Sequence, residues 1–77
     1  MKQLRWRKFS PIDRDYPLYE LTDAQDAMLL DVTRDDAGAF EIRFDQEAVG
    51  KTLDLDEFMR LLAEARELLE NEVPDPA

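Results

Sequence analysis

Seventy-seven residues make one small domain, which buries only about 60 % of its unfolded surface and therefore has a thin core. With no cysteine and no histidine, disulfide frameworks, thiolate nucleophiles, imidazole bases and ordinary zinc sites are all excluded. The formal charge of −9 is unevenly spread: residues 1–14 carry five basic groups against one acidic, and residues 15–77 carry five basic against eighteen acidic.

Residues 1–15 form a basic N-terminal segment, an arm or an edge strand, in which Leu4 and Trp6 alternate with Arg5 and Arg7. It lacks the apolar block of a signal peptide, and no run of the chain approaches the ~18 apolar residues of a membrane span, so a soluble, cytoplasmic protein is expected. Two prolines within seven residues make Ser10–Pro17 an irregular connector. Residues 16–53 read as a β-meander. Its first strand lies within Tyr16–Thr22, with Tyr19 and Leu21 facing one way and Leu18 and Glu20 the other. After a turn at residues 23–26, a second strand sets Met28, Leu30 and Val32 against Leu29, Asp31 and Thr33. Asp35-Asp36-Ala37-Gly38 is the best turn in the chain, since Gly38 can take the left-handed conformation that closes a type I turn with a bulge. The third strand predicts Phe40, Ile42 and Phe44 inward and Glu41, Arg43 and Asp45 outward. A further turn at 46–50 leads to a short last strand, Lys51-Thr52-Leu53.

Residues 54–73 are the one unambiguous amphipathic helix. Asp54 and Glu57 have capping-box spacing, and Leu53 and Phe58 that of a hydrophobic staple. Leu55, Phe58, Leu61, Leu62, Ala65, Leu68, Leu69 and Val73 fall on one side, with Met59 widening the stripe; Arg60, Glu64, Glu67 and Asn71 fall on the other. Pro74 stops the helix, and residues 74–77 form a tail. Loops of about four residues make neighbouring strands antiparallel. The expected fold is α+β: an antiparallel meander of four strands, five if the N-terminal segment joins, covered on one face by the C-terminal helix. The opposite face carries Asp31, Thr33, Glu41, Arg43 and Leu29, with room for Trp6 or a second subunit.

Chemistry is scarce. Ser10 is the single serine and has no base beside it, and two glycines cannot cradle a phosphate. Asp31-x-Thr33-x-Asp35-Asp36 imitates the start of a calcium loop, but its sixth place is not glycine and its twelfth is Ile42 where a bidentate Glu is required. The carboxylate pairs Asp35-Asp36 and Asp54/Asp56/Glu57 have turn and capping roles. No catalytic, metal-binding or cofactor-binding residue is assigned, and no cofactor is expected.

Arg5-Trp6-Arg7-Lys8-Phe9 interleaves basic and aromatic side chains as a single-strand-binding surface does, and makes Arg5, Trp6, Arg7 and Lys8 the candidate nucleic-acid contacts. A four-stranded antiparallel meander followed by one helix also resembles the positive-cofactor-type single-stranded-DNA-binding proteins, over most of the chain but as an order of elements alone. That resemblance implies dimerisation through the helix and nucleic-acid binding on the outer sheet. In that family the outer sheet is basic and aromatic, whereas here Arg34, Arg43 and Lys51 stand among many carboxylates. Asp15-Tyr16-Pro17-Leu18-Tyr19-Glu20-Leu21 together with LDLDEFMRLL is similar to short acidic bacterial proteins of unassigned role.

An acidic field repels phosphate backbones and anionic lipid and attracts basic partners. The expected function is accordingly a non-enzymatic bacterial interaction domain, inhibitor- or immunity-like, that binds a basic protein and self-associates as a homodimer, with no membrane partner; the alternatives are a single-stranded nucleic-acid-binding dimer and a structural or regulatory protein. Glu64, Glu67, Glu70, Asp35, Asp36 and Glu41 are the candidate protein contacts, and Leu61, Leu68 and Leu29 the candidate dimer contacts. The basic N-terminal segment has a competing structural role, in which its arginines lie across the acidic body and neutralise it in cis.

Overall fold

A computed structural model describes residues 4–72. Four antiparallel strands form one sheet in the order β1-β2-β3-β4: β1 (Arg5–Phe9), β2 (Leu18–Thr22), β3 (Met28–Arg34) and β4 (Phe40–Phe44). A single-turn 3₁₀ helix, Gln46–Ala48, then leads to α1 (Leu55–Glu70), the one α-helix among the described residues. The architecture is the expected α+β meander with a helix on one face, but its membership differs. The basic N-terminal segment supplies β1, one of the four strands, and Lys51–Leu53, expected as the last strand, is loop.

Turn chemistry sets the strand ends. Asp23 accepts the amides of Gln25 and Ala27, which closes the β2–β3 turn with Asp26 in the left-handed region at φ 64°. In the β3–β4 hairpin Asp35 accepts the amides of Ala37 and Ala39, and Gly38 takes φ 89°, as a type I turn with a bulge requires. The register slips once, pairing Leu21 with Leu30 but Thr22 with Met28. This bulge leaves Met28 half-buried and buries Leu29, the reverse of simple alternation.

The helix begins at its N-cap Asp54, which accepts the Glu57 amide at 2.9 Å. The other half of the expected capping box is not formed, because the Glu57 carboxylate turns to Arg60 at 3.7 Å. The helix ends at Glu70 with Asn71 as C-cap, before any proline. Val73, expected on its apolar face, and the tail 74–77 lie outside the described residues.

Tyr19, Leu21, Leu30 and Val32 of the two central strands meet Leu61, Ala65 and Leu69 of α1, with Leu4, Trp6, Phe58 and Leu62 around them. Strand β4 contributes nothing to this core. Phe40, Ile42 and Phe44 do point to the helix side, opposite Arg34, Val32 and Leu30, yet they are 36 %, 42 % and 63 % exposed. The cause is where the helix is tied. The Trp6 indole N–H donates to the Leu61 carbonyl at 2.9 Å, and the Tyr19 hydroxyl donates to Glu72 at 2.6 Å. Both bonds draw α1 over β1, β2 and β3 and away from β4. Trp6 therefore lies beneath the helix and not on the opposite face.

The opposite face is covered in part as well. Leu18, Asp31 and Thr33 are buried there, and the Thr33 hydroxyl donates to the Pro17 carbonyl at 2.9 Å, lashing the β1–β2 connector to the sheet.

Candidate functional site

The basic strand β1 is the first candidate surface, and its charges are spent within the chain. Arg5 pairs with Asp26 at 3.1 Å, Arg7 with Glu20 at 3.0 Å and Lys8 with Glu72 at 3.0 Å, while Trp6 is bonded to the helix. Cross-strand register explains the second pair, since Arg7 stands directly opposite Glu20. Three of the four candidate nucleic-acid contacts, Arg5, Arg7 and Lys8, thus neutralise part of the acidic body in cis, and the fourth, Trp6, is turned to the helix.

The row through Arg7 continues over the whole sheet. Glu20 is opposite Asp31, and Asp31 is opposite Arg43. Two carboxylates that would repel each other at the centre are clamped between two guanidiniums at the edges. Asp31, its side chain only 3 % exposed, accepts from Arg43 at 2.7 and 3.2 Å. Those bonds, with the attraction of the charge behind them, hold the Arg43 guanidinium above its ordinary pKa. Asp31 and Asp35, which imitate a calcium loop in sequence, are thereby an ion-pair partner and a turn former.

A second cluster gathers at the C-terminal end of α1. Burial, and then the hydrogen bond and negative charge of Glu72, push the Tyr19 hydroxyl up to about 12. The same bond, reinforced by Lys8, holds Glu72 below the usual carboxylate range. Asp23 is also held low, first by the Ala27 and Gln25 amides and then by Lys51. Each of these groups supports a turn or a clasp.

The candidate protein contacts separate into two kinds. Asp35 is committed to its hairpin, and Glu70 pairs with Arg66 at 3.3 Å. Glu64, Glu67, Asp36 and Glu41 are exposed and have no ion-pair partner among the described residues. Glu64 and Glu67 occupy the solvent side of α1; Asp36 and Glu41 belong to the β3–β4 hairpin. Of the candidate dimer contacts, Leu61 is 4 % and Leu29 1 % exposed, both taken up by the chain itself, so only Leu68 remains at the surface.

Sequence pattern missed the open side of the sheet. A groove of about 230 Å³ runs between β4 and α1, lined by Val32, Phe40, Ile42, Leu62, Leu69 and Arg66. The Arg66 guanidinium sits 4.5 Å from the Phe40 ring centre and Arg34 sits 4.8 Å from it, while Thr33 and Glu41 also border the mainly apolar trough. Helical periodicity continues the Leu62 flank through Met59 and Leu55, which are also exposed. The stripe is wider than this sheet needs, and that excess width is the signal in the sequence.

Comparison with protein-family models, with curated proteins and with solved structures returned no match. No helix among the described residues is long and apolar enough to cross a membrane.

Proposed function

We propose that this is a non-enzymatic protein-interaction domain whose acidic surface receives a basic protein. One observation carries the proposal: the basic residues of β1 are paired within the chain, whereas Glu64, Glu67, Asp36 and Glu41 stand exposed without an ion-pair partner among the described residues. The net field of −9 would speed the approach of a basic surface and repel phosphate. The partner chemistry is that of a toxin, nuclease or nucleic-acid-binding protein, met as an inhibitor or immunity protein meets it. We place the encounter in the cytoplasm, consistent with a chain free of cysteine.

The test has two arms. Tagged protein should retain a basic partner from lysate, and the Glu64→Lys/Glu67→Lys double variant should lose it. In fluorescence anisotropy, a short single-stranded oligonucleotide should not bind at about 0.15 M salt, where any phosphate-driven binding would show a steep salt slope. Salt-dependent binding abolished by changes at Arg5 and Arg7 would overturn the proposal in favour of a nucleic-acid interface.

A further inference from the structure

The two edges of the sheet are unlike. Strand β1 presents Arg5, Arg7 and Lys8 along its edge, charges that discourage another strand from adding to it. Strand β4, Phe-Glu-Ile-Arg-Phe, carries one charge of each sign, which a second copy in the right register can match. Its backbone is also poised to pair. The amides of Asp35 and Asp45 donate to the carbonyls of Ala39 and Leu29, so at both ends of the β3–β4 ladder it is the odd-numbered residues that exchange hydrogen bonds. Antiparallel alternation then turns the N–H and C=O of Phe40, Ile42 and Phe44 outward to the free edge.

We infer that β4 pairs antiparallel with β4 of a second copy of this chain, about a two-fold axis through Ile42, joining two four-stranded sheets into one of eight strands. The sequence of the strand is symmetric about that point. Ile42 meets Ile42 once, on the axis, while Phe40 meets Phe44 of the second copy and Glu41 meets its Arg43 twice each. The residues that meet in hydrogen-bonded pairs are the even-numbered ones whose polar groups point outward. The charged pair falls at a non-hydrogen-bonded position, where opposed side chains come closest.

Neighbouring registers lack this match. Centring the pair on Glu41 opposes two carboxylates, and centring it on Arg43 opposes two guanidiniums and sets Glu41 against Asp45. Charge complementarity therefore selects both the partner and the register. The three apolar side chains share the helix side, so pairing also joins the two open troughs beside Leu62 into one apolar surface across the two-fold axis. This goes beyond the acidic binding surface: it uses the sheet edge and takes up Glu41, leaving Glu64, Glu67 and Asp36 to a basic partner.

Light scattering of the full chain over a range of concentrations tests it. The wild-type chain should show twice its 9.0 kDa mass. Glu41→Arg sets a second guanidinium opposite Arg43 of the other copy at both charged positions. It should weaken association at least tenfold while leaving the circular dichroism spectrum and thermal midpoint of the monomer unchanged. Because the chain has no cysteine, Ile42→Cys supplies a single thiol at the axis and should form a disulfide dimer under mild oxidation. That cross-link should be lost when Glu41→Arg is added. A wild-type monomer at every concentration would overturn the inference and leave the trough to a different occupant. A dimer indifferent to Glu41→Arg would overturn it too, by placing the contact elsewhere.

Discussion

Asp31 shows how a single residue is held in an unfavourable place. It is almost fully covered, faces Glu20 across one ladder, and is balanced by Arg43 across the other. The pair is asymmetric, because the Arg43 side chain is largely exposed while the carboxylate is not. Removing the guanidinium leaves a covered acid without its charged donor, which costs about 1–3 kcal/mol. Arg43→Ala should lower the urea midpoint accordingly, at a fixed protein concentration that keeps self-association constant. Adding Asp31→Asn to that variant should recover part of the loss, since the carboxylate charge that needed Arg43 is then gone. The strand and its outward face could be read from the alternation of residues 28–34, but the burial of Asp31 could not. Burial depends on the connector bound through Pro17 and Thr33, a contact that no periodicity encodes.

Among the elements, α1 was the most legible; β4 was legible as a strand and a face but not in its packing. Asp54 caps the helix as its spacing predicts, so Asp54→Ala should cost about 1 kcal/mol in a denaturant titration. The β3–β4 hairpin depends on Gly38, whose φ of 89° is one that side chains rarely adopt. A Cβ there would also stand 3.1 Å from the Arg34 guanidinium. Gly38→Ala should therefore destabilise by about 1 kcal/mol or more, seen as a lower thermal midpoint. Alternation placed Phe40, Ile42 and Phe44 on the correct face, but a face is not the same as a core. Whether the helix reaches β4 depends on where it is tethered, and the tethers are one indole N–H and one phenol O–H contributed by distant strands. The missing strand at Lys51–Leu53 has the same kind of cause. The Gln46–Ala48 turn carries the chain back beside Leu29, and Lys51 pairs with Asp23 at 3.8 Å, which holds this run away from the free edge of β4.

At the scale of the whole molecule, pH should reveal how the two ends of the sequence are joined. Glu72 and Asp23 have folded pKa values below their ordinary ones, so their contribution is present above the usual carboxylate range and is lost as pH falls through the lowered values. Tyr19 works in the opposite sense. Its folded pKa of about 12 lies above the ordinary 10.0, so its contribution is complete below pH 10.0 and is lost as pH rises toward 12. The thermal midpoint should be flat from about pH 5 to pH 10 and fall on both sides, with Tyr19→Phe removing the alkaline fall. The Trp6 and Tyr19 bonds that frame this behaviour close separations of 55 and 53 residues. A chain emerging from the ribosome would therefore complete its hairpins early, yet Trp6 would wait for Leu61, midway along the helix, and Tyr19 for Glu72, just past its end. The fold closes like a belt whose buckle is stitched on last, so the nascent domain would present its largest aromatic surface for most of its synthesis.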